Sequence, residues 1–541
     1  MGAGAPVILI ALDACDAATV RAMAAAGKLP TMRRLLGEGA HASVRSPYAF
    51  FVGAVWPSFF TARSAARTRF HCWDTISPAT YERRLTNPRE ITGRPFWYAL
   101  SDAGRRVAVI DVPHTRVTER VNGVQIVEYG CHDRHFGLHT SPPGLAADIV
   151  SRLGAHPALG IDTHAERQFA PDDYVHRAGA FRTRDEERAL LADMLEGLER
   201  KRRLSTGLLA EGGWDLFISV FGESHAIGHQ CWYLHDPRHP LHDATLLREL
   251  GDPVEQVYAK LDAAVGDHLA LAPPGSTVLV LLSHGMRPHY DATHLLEEVL
   301  DRIDMAINDE RRGERKVRPG PAAWRRLPRL AQAALKPALL GAIRLHCRRY
   351  PPQPASDEDR GPKSRARRRF FLSPNNTVYG GVRVNLKGRE PNGLVDPGAD
   401  FEATCDALKR DLLALVNVDT GAPVVRAVER TDAHYLRSTQ DELPDLVIEW
   451  NRDTPTETIW SPKTGIVHVP YTHWRTGDHQ PGGLLLATGP GIRGGADLGE
   501  IDVTDLGPTI CARFGVVLGD VDGRPARALI GAISRETAES Y

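Results

Sequence analysis

Short apolar runs recur along the chain and predict a series of buried strands. Four runs have Asp or His residues close to one end: Val7–Leu12, Trp214–Val220, Ser276–Leu282 and Gly483–Pro490. Short runs that are apolar almost throughout are typical of strands covered on both faces of a sheet. Further strands are predicted at Arg106–Val112, Val124–Glu128, Thr377–Asn385 and Leu446–Trp450.

Stretches with apolar residues at helical spacing lie between these strands. Residues 185–209, 254–271 and 402–415 each predict a helix, and Ala17–Gly39 predicts two short helices with a turn between them. Strands that alternate with helices favour a mostly parallel sheet covered on both faces. The predicted fold class is therefore α/β, with a three-layer α/β/α arrangement around a central, mostly parallel sheet.

The composition changes between residues 308 and 369. Basic residues recur from Arg311 to Arg329, an amphipathic helix is predicted over Leu330–Cys347, and a stretch rich in proline and charge follows. We interpret this segment as a solvated, partly disordered insertion, and a basic lid or a contact with an anionic surface is the alternative. The predicted organisation is a core in two parts, 1–307 and 370–541, with the insertion 308–369 between them.

Composition and charge exclude several classes of protein. The 541 residues contain 66 Lys and Arg against 67 Asp and Glu, a net charge of −1, so there is no specific signal for nucleic acid. Seven Cys without a CxxC pair argue against a disulfide framework and favour a reducing, cytoplasmic location. The apolar run that ends at Asp13 has no basic segment before it, so we interpret it as a strand and not as a signal peptide. No apolar stretch is long enough to span a membrane, and the oligomeric state is not indicated.

Asp and His residues lie where the four strands begin or end. Asp13 follows the first strand, His225 and His229 follow the second, His284 follows the third, and His479 precedes the fourth. Residues four apart share one face of a helix, so the first two imidazoles can bind the same ion if a helical turn begins there. In open α/β sheets, sites gather beyond the carboxyl ends of strands. The pattern therefore predicts that these five side chains converge on metal.

Each of these residues also has an ordinary structural explanation. Asp13 can cap a helix, and His284 can be a turn residue before Gly285. The pair of histidines can be satisfied within a polar loop. Three residues of a separate group are candidates for orienting metal ligands, with a surface loop as the alternative: His289, Asp291 and His294.

Eight short stretches occur in one order along nearly the whole chain. They are Ile10–Asp13, Leu29–Gly39, Val55–Thr61, Ser283–Met286, Arg383–Pro391, Leu443–Val447, Gly477–His479 and Asp505–Thr509. Together they resemble the alkaline phosphatase superfamily, in its type I phosphodiesterase/nucleotide pyrophosphatase-like branch of predicted phosphohydrolases and phosphomutases. The resemblance implies a mostly parallel sheet, two adjacent metal ions, typically zinc, and a Ser or Thr nucleophile between them. Such a site supplies what phosphoryl transfer needs, since the metals neutralise charge on the phosphoryl oxygens.

The resemblance assigns roles one position at a time. Asp13 resembles the carboxylate ligand of the first strand, and His229 resembles the His of an Asp-x-x-x-His pair. His284 resembles the His of an Asp-His-Gly motif, and His479 resembles the late Gly-x-His ligand.

Three positions depart from that pattern. His225 stands where the pair would have Asp, Ser283 stands where Asp-His-Gly would have Asp, and Val52 lies where the nucleophile is expected. One metal site is then predicted to be complete with three imidazoles, those of His225, His229 and the late-motif His479. The other site, reduced to Asp13 and His284, is predicted to be weak or empty.

The predicted function is a metal-dependent hydrolase of small-molecule phosphate esters. It needs one or two divalent ions, with zinc expected and manganese the alternative, and its nucleophile is Ser58 or a water activated by the metal. Arg383 and Asn385 are candidates for binding the phosphate, although alternate residues of a strand commonly divide between core and solvent. The alternative function is a catalytically degenerate family member that binds a phosphorylated ligand or partner. A sulfatase is disfavoured because no Cys or Ser has the Cys/Ser-x-Pro-x-Arg context.

Overall fold

The computed structural model describes residues 5–77, 79–132, 135–159, 182–311, 329–349, 361–436, 442–470 and 475–530. Two parts of the predicted insertion, residues 312–328 and 350–360, lie outside the described residues. The strands are β1 (Val7–Leu12), β2 (Ala40–Arg45), β3 (Asp74–Ile76), β4 (Arg83–Leu85), β5 (Val107–Ile110), β6 (Gly123–Val127), β7 (His139–Ser141), β8 (Leu216–Phe221), β9 (Thr277–Leu282), β10 (Gly285–Pro288), β11 (Phe370–Leu372), β12 (Tyr379–Val384), β13 (Val416–Asn417), β14 (Val425–Arg430), β15 (Leu446–Trp450), β16 (Thr458–Ser461), β17 (Gly465–His468), β18 (Gly477–Gln480), β19 (Gly483–Thr488) and β20 (Asp497–Asp502).

The helices are α1 (Ala17–Ala25), α2 (Pro30–Glu38), α3 (Phe51–Thr61), α4 (Ala65–Thr68), α5 (Phe96–Asp102), α6 (Leu145–Leu153), α7 (Arg184–Glu211), α8 (Glu223–His235), α9 (Ala244–Leu250), α10 (Pro253–Leu271), α11 (Thr293–Arg311), α12 (Arg329–Arg349), α13 (Pro362–Arg365), α14 (Ala399–Leu413), α15 (Leu506–Arg513) and α16 (Arg527–Ile530). Within the described ranges, no helix combines the length and apolar character needed to cross a bilayer.

The chain forms two compact units. The first contains Met1–Phe70, Asn87–Pro288 and His473–Tyr541, and the second contains His71–Thr86 and His289–Thr472. The division into 1–307, 308–369 and 370–541 stays a prediction.

The first unit is built on a nine-stranded sheet in the order β20-β2-β19-β9-β1-β8-β5-β6-β7. The central strand β1 pairs in parallel with both β8 and β9, and β5 continues the parallel arrangement. Strand β19 is antiparallel to both of its neighbours, and the edge strand β7 is antiparallel to β6. The sheet is therefore mostly parallel, as predicted.

Alternate residues of β1 face two separate hydrophobic cores. Ile8, Ile10 and Leu12 pack with residues of α1, α2, α7, α8 and α10. The intervening residues of the strand pack with residues of α3, α5 and α15. Because successive side chains of a strand point to opposite faces, the sheet is covered by helices on both sides. The predicted three-layer α/β/α fold class is confirmed.

The direction of β19 brings a fourth chain segment to the edge of the sheet at which β1, β8 and β9 end. The carboxyl ends of β1, β8 and β9 lie at one edge because these strands are parallel. Since β19 runs antiparallel to β9, with Leu484 opposite Leu282, its amino end lies at that same edge. Strand β18, just before it, pairs with β10 and places His479 opposite Met286.

The second unit contains the antiparallel sheets β11-β12-β15-β14 and β13-β16-β17 and the hairpin β3-β4. Arg383 in β12 is buried and forms an ion pair with Glu390 at 2.7 Å. Asn385 is also buried, accepts a hydrogen bond from the Tyr81 hydroxyl and donates one to the Arg368 carbonyl. Both side chains bind protein groups, and their predicted contact with phosphate stays a prediction.

Candidate metal centre

Only Gly222 separates the end of β8 from helix α8, which carries His225 and His229. The predicted helical turn is present, and the Nε2 atoms of the two imidazoles lie 3.0 Å apart. A Cβ at Gly477 would lie 2.2 Å from the carbonyl oxygen of Gly228. Glycine at this position therefore lets β18 pack directly on α8, which brings His479 to the two helical histidines.

The structure brings the five predicted metal ligands into one connected cluster. His229 Nε2 lies 3.1 Å from His479 Nε2, and His479 Nδ1 lies 3.0 Å from His284 Nε2. Asp13 Oδ2 lies 2.7 Å from His225 Nδ1. All five side chains belong to residues that are at most 6% exposed. Five polar groups removed from water in this way must satisfy one another or bind something else.

Asp13 fixes the proton position on His225. Burial raises the pKa of Asp13, but the imidazoles of His225 and His284 and the hydrogen bond from Trp56 lower it by more, so the pKa lies well below its ordinary value. The ionised carboxylate only accepts hydrogen bonds, so His225 Nδ1 carries a proton and donates it. In the neutral imidazole, Nε2 then presents a lone pair, as in carboxylate–histidine pairs behind metal sites.

His229 also presents a lone pair at Nε2. Its Nδ1 lies 2.8 Å from the carbonyl oxygen of Gly477, which only accepts, so the proton is on Nδ1. Arg475 Nη1 lies 3.2 Å from Nε2 and donates to it. Burial, the charge of Arg475 and the imidazoles of His479, His225 and His132 all lower the pKa of His229 well below its ordinary value. The ring is therefore neutral near pH 7.

Ser283 sets the proton positions on the other two histidines. Its hydroxyl donates to Asp13 Oδ1 at 3.1 Å and accepts from the Ala14 N–H at 3.0 Å. It therefore accepts from His284 Nδ1, at 3.0 Å, and His284 Nε2 accepts from His479 Nδ1. Burial lowers the pKa of His284 to about 4 and that of His479 well below its ordinary value. Both rings are neutral, and His479 Nε2 is left with a lone pair.

The Nε2 atoms of His225 and His479 both approach Nε2 of His229. His225 Nε2 and His479 Nε2 lie 3.0 Å and 3.1 Å from His229 Nε2. The three ring centroids lie 4.8, 4.6 and 4.5 Å apart. Nitrogens bound to tetrahedral zinc at 2.0–2.1 Å lie about 3.3 Å apart, close to these two distances. The donor set fits a divalent ion that accepts imidazole, such as zinc.

Two further side chains lie near enough to act as ligands. Among the described residues, His132 groups with His225 and His229, and Asp478 groups with His229 and His479, with all ligand atoms of a group within 4.8 Å of one another. His229 is common to both groups, so the predicted three-histidine set is divided between them. The ring of His132 stacks on that of His225 with centroids 4.1 Å apart.

The prediction did not include His132 or Asp478. His132 lies five residues beyond the end of β6, while His284 lies two residues beyond the end of β9, so a histidine after a strand end is a weaker signal at His132. Asp478 directly precedes His479, and its carboxylate accepts a hydrogen bond from the backbone N–H of that residue.

Asp13 and His284 each orient another group of the cluster. The two carboxylate oxygens of Asp13 accept hydrogen bonds from Trp56, Ser283 and His225. Both nitrogens of His284 are engaged, one with Ser283 and the other with His479. These contacts engage both oxygens of Asp13 and both ring nitrogens of His284, and the weak or empty second metal site stays a prediction.

The amino-terminal half of helix α3 lies against the cluster. Trp56 donates from Nε1 to Asp13 at 2.8 Å, and the ring of Phe51 meets that of His284 edge to face with centroids 5.4 Å apart. Val52 lies one turn before Trp56 and so on the same helix face. The position expected for the nucleophile therefore faces the cluster without a hydroxyl.

Ser58 lies on a different face of α3 from Trp56. Two residues along a helix correspond to a rotation of roughly 200°. Ser58 is fully buried, and no group in the described part of the chain forms a hydrogen bond with its hydroxyl. Its predicted role as a nucleophile stays a prediction. The predicted orienting residues His289, Asp291 and His294 belong to the second unit, and their role also stays a prediction.

One comparison with known proteins finds a family that spans most of the chain. A family model described as Type I phosphodiesterase / nucleotide pyrophosphatase matches residues 7–481, most of the chain and every residue of the cluster. A search of curated proteins found no match.

Proposed function

The chain belongs to the type I phosphodiesterase/nucleotide pyrophosphatase family, and we propose that it hydrolyses small-molecule phosphate esters with one divalent ion bound at its histidine cluster. The observation that carries this proposal is the close approach of the His225 and His479 Nε2 atoms to His229 Nε2, at 3.0 and 3.1 Å. Members of this family act on phosphoric esters, and such reactions need positive charge beside the phosphoryl oxygens.

One ion, and not two, is the number that the contacts favour. His229 Nδ1 donates to the Gly477 carbonyl, so only its Nε2 can bind an ion. A single lone pair binds one ion, and both three-ligand groups depend on it. Zinc is the ion we propose, with manganese as the alternative, because imidazole nitrogens dominate the donor set.

The residues of the cluster divide into ligands and orienting groups. We assign His225, His229 and His479 as ligands, with His132 and Asp478 as candidates to complete the coordination. Asp13, Ser283 and His284 hold the protons of the ligand imidazoles on their Nδ1 atoms, which keeps each Nε2 available. When bound, the ion would supply Lewis acidity toward a phosphoryl oxygen and lower the pKa of water.

Water is the nucleophile that we propose. Val52 occupies the helix face that the Trp56–Asp13 hydrogen bond turns toward the cluster, and it has no hydroxyl to attack phosphorus. Ser58 shares the helix face of Phe51, but it lies two turns, roughly 10 Å, further along the helix from the cluster. Attack by water forms a new P–O bond while the P–O bond to the leaving alcohol breaks, and the proton lost by the water ends on the leaving oxygen. No covalent phosphoryl-enzyme therefore forms on the way.

A second candidate function is binding of a phosphorylated ligand or partner without turnover. The absence of a hydroxyl at Val52 and of a carboxylate at Ser283 supports it. Both candidates use the same cluster, and they differ only in whether the bound ester is cleaved.

Hydrolysis of model esters tests the proposal. Zinc- or manganese-loaded protein is assayed with nitrophenyl phosphate mono- and diesters, beside His229→Ala and, as a control, the exposed His434→Ala. We expect His229→Ala to lose metal affinity and activity together. Each loss should exceed the 10- to 100-fold that is typical when a residue behind a metal ligand is changed. The control should keep both metal affinity and activity. Metal binding without cleavage of any ester would support the binding candidate. Protein without metal would refute both.

A further inference from the structure

Arg475 makes a contact that the proposed hydrolysis does not yet use. Its Nη1 lies 3.2 Å from His229 Nε2. A guanidinium group is always charged and can only donate, so this contact is an N–H hydrogen bond to the lone pair. The same lone pair belongs to both groups that can hold an ion.

The backbone beside Arg475 is fixed on helix α8. Thr476 donates from its N–H to the His229 carbonyl at 2.8 Å, and its hydroxyl donates to the same oxygen at 3.1 Å. The side chain of Arg475 itself is half-buried, unlike the fully enclosed histidines. The guanidinium therefore starts from a fixed point at the margin of the cluster, with part of its surface facing water.

A divalent ion and the Arg475 guanidinium cannot both bind the Nε2 atom of His229 at the same time. The Nε2 atom of His229 has one lone pair, which either accepts the N–H or binds the ion. Two cations a few ångströms apart also repel each other strongly where water is largely excluded. Ion binding must therefore displace the guanidinium from His229.

A guanidinium displaced from His229 can instead bind the phosphoryl oxygens of a substrate held by the ion. Its planar group of N–H donors matches the oxygens of a phosphate in two parallel hydrogen bonds. A phosphoryl group bound to the ion would bring negative oxygens to the side of the cluster that Arg475 borders.

We propose that Arg475 is an exchangeable cation, which donates to His229 Nε2 before the ion binds and turns to a non-bridging phosphoryl oxygen of the substrate once it has bound. This inference rests on the proposed function and adds a substrate-binding residue to it. Removal of the guanidinium should then have opposite effects on the two ligands, tighter binding of the ion and weaker binding of phosphate.

Cobalt(II) and inorganic phosphate are suitable probes, because neither requires turnover. The dissociation constant for cobalt is measured by absorption titration of the metal-free protein, and that for phosphate by calorimetry of the cobalt-loaded protein. Arg475→Met keeps the length of the side chain without its charge, and the exposed Arg33→Met controls for a general change of charge. Thermal unfolding of each variant shows that it is folded.

We expect Arg475→Met to bind cobalt about tenfold more tightly and phosphate about tenfold more weakly than wild type, with Arg33→Met unchanged. An unchanged cobalt affinity, or an unchanged phosphate affinity, overturns this proposal while the metal centre itself stands. Cobalt binding by neither wild type nor Arg475→Met overturns the proposed function and this proposal with it.

Discussion

The Nε2 atoms of His225 and His229 face each other at 3.0 Å. Each ring has its proton on Nδ1, where Asp13 and the Gly477 carbonyl accept it. The Nε2 atoms of both rings are thereby turned toward the same point, where a divalent ion could bind them. The hydrogen bonds that would orient the imidazoles toward an ion are therefore already formed in the metal-free protein.

Asp13→Asn should weaken ion binding about 10- to 100-fold without unfolding the protein, because it disturbs a group behind a ligand. The carboxylate now accepts from Trp56, Ser283 and His225. An amide has one accepting oxygen, so its NH₂ group must meet at least one of these donors or force the His225 proton onto Nε2. Titration with zinc measures the effect.

Asp252→Asn is the matched control for that experiment. Asp252 Oδ2 lies 2.7 Å from His235 Nδ1, which is the same kind of carboxylate–histidine contact outside the cluster. Asn remains a good helix N-cap at this position. An equal loss of zinc affinity in both variants would show that Asp13 has no specific role in orienting His225.

Ser283→Asp should raise the number of bound ions from one to two. The new carboxylate restores an oxygen ligand beside Asp13 and His284, where the family pattern has Asp. In the metal-free protein two buried carboxylates would then repel each other, so stability should fall without metal and recover with it. Elemental analysis and thermal unfolding measure both effects. Ser283→Asn, which adds no charge, should still bind one ion. A single ion in Ser283→Asp would contradict the idea that the missing carboxylate is what keeps a second ion from binding beside Asp13 and His284.

Ser58→Ala should leave hydrolysis unchanged and stability equal or slightly higher. The hydroxyl is buried, and none of the described groups bonds to it, so its removal relieves a desolvation cost. Trp56→Phe is the comparison on the opposite helix face, since it removes the N–H donated to Asp13 and should reduce ion affinity. Loss of all activity in folded Ser58→Ala would identify Ser58 as the nucleophile.

The metal-free protein should lose stability as the pH falls from about 6.5, the ordinary pKa of histidine, toward 4. Burial lowers the folded-state pKa of His284 to about 4, so in this interval the unfolded chain binds more protons than the folded one. Each tenfold difference in proton affinity between the two states corresponds to about 1.4 kcal/mol. Denaturant unfolding at several pH values measures the slope, and His284→Gln should reduce it. A slope that is the same in both proteins would show that His284 is not held neutral.

The sequence predicted the sheet and the place of the site well. Wholly apolar runs mark buried strands clearly, and β1 and β15 begin and end at the predicted residues. The rule that sites lie beyond strand ends then found five clustered side chains. The approach of His479 depended on β19 being antiparallel, a direction that its own residues do not encode.

Helix α3 was not predicted as a helix. Pro57 lies in its interior, and nearly every residue of the helix is buried, so it has no polar face to produce a helical period. The hydrogen bonds of Asp13 and His284 within the cluster also could not be predicted. They depend on which atom of each side chain faces which neighbour, and such directions follow only from packing in three dimensions.

The claim that the histidine cluster binds one divalent ion is tested most directly by measuring the metal content of the protein and identifying the atoms bound to the metal. Protein loaded with zinc and freed of excess is examined by elemental analysis and X-ray absorption, beside His229→Ala. We predict one zinc per chain, with imidazole nitrogens at about 2.0–2.1 Å, and none in the variant. Zinc that is equally abundant in His229→Ala, or a zinc without imidazole ligands, would contradict the proposed centre.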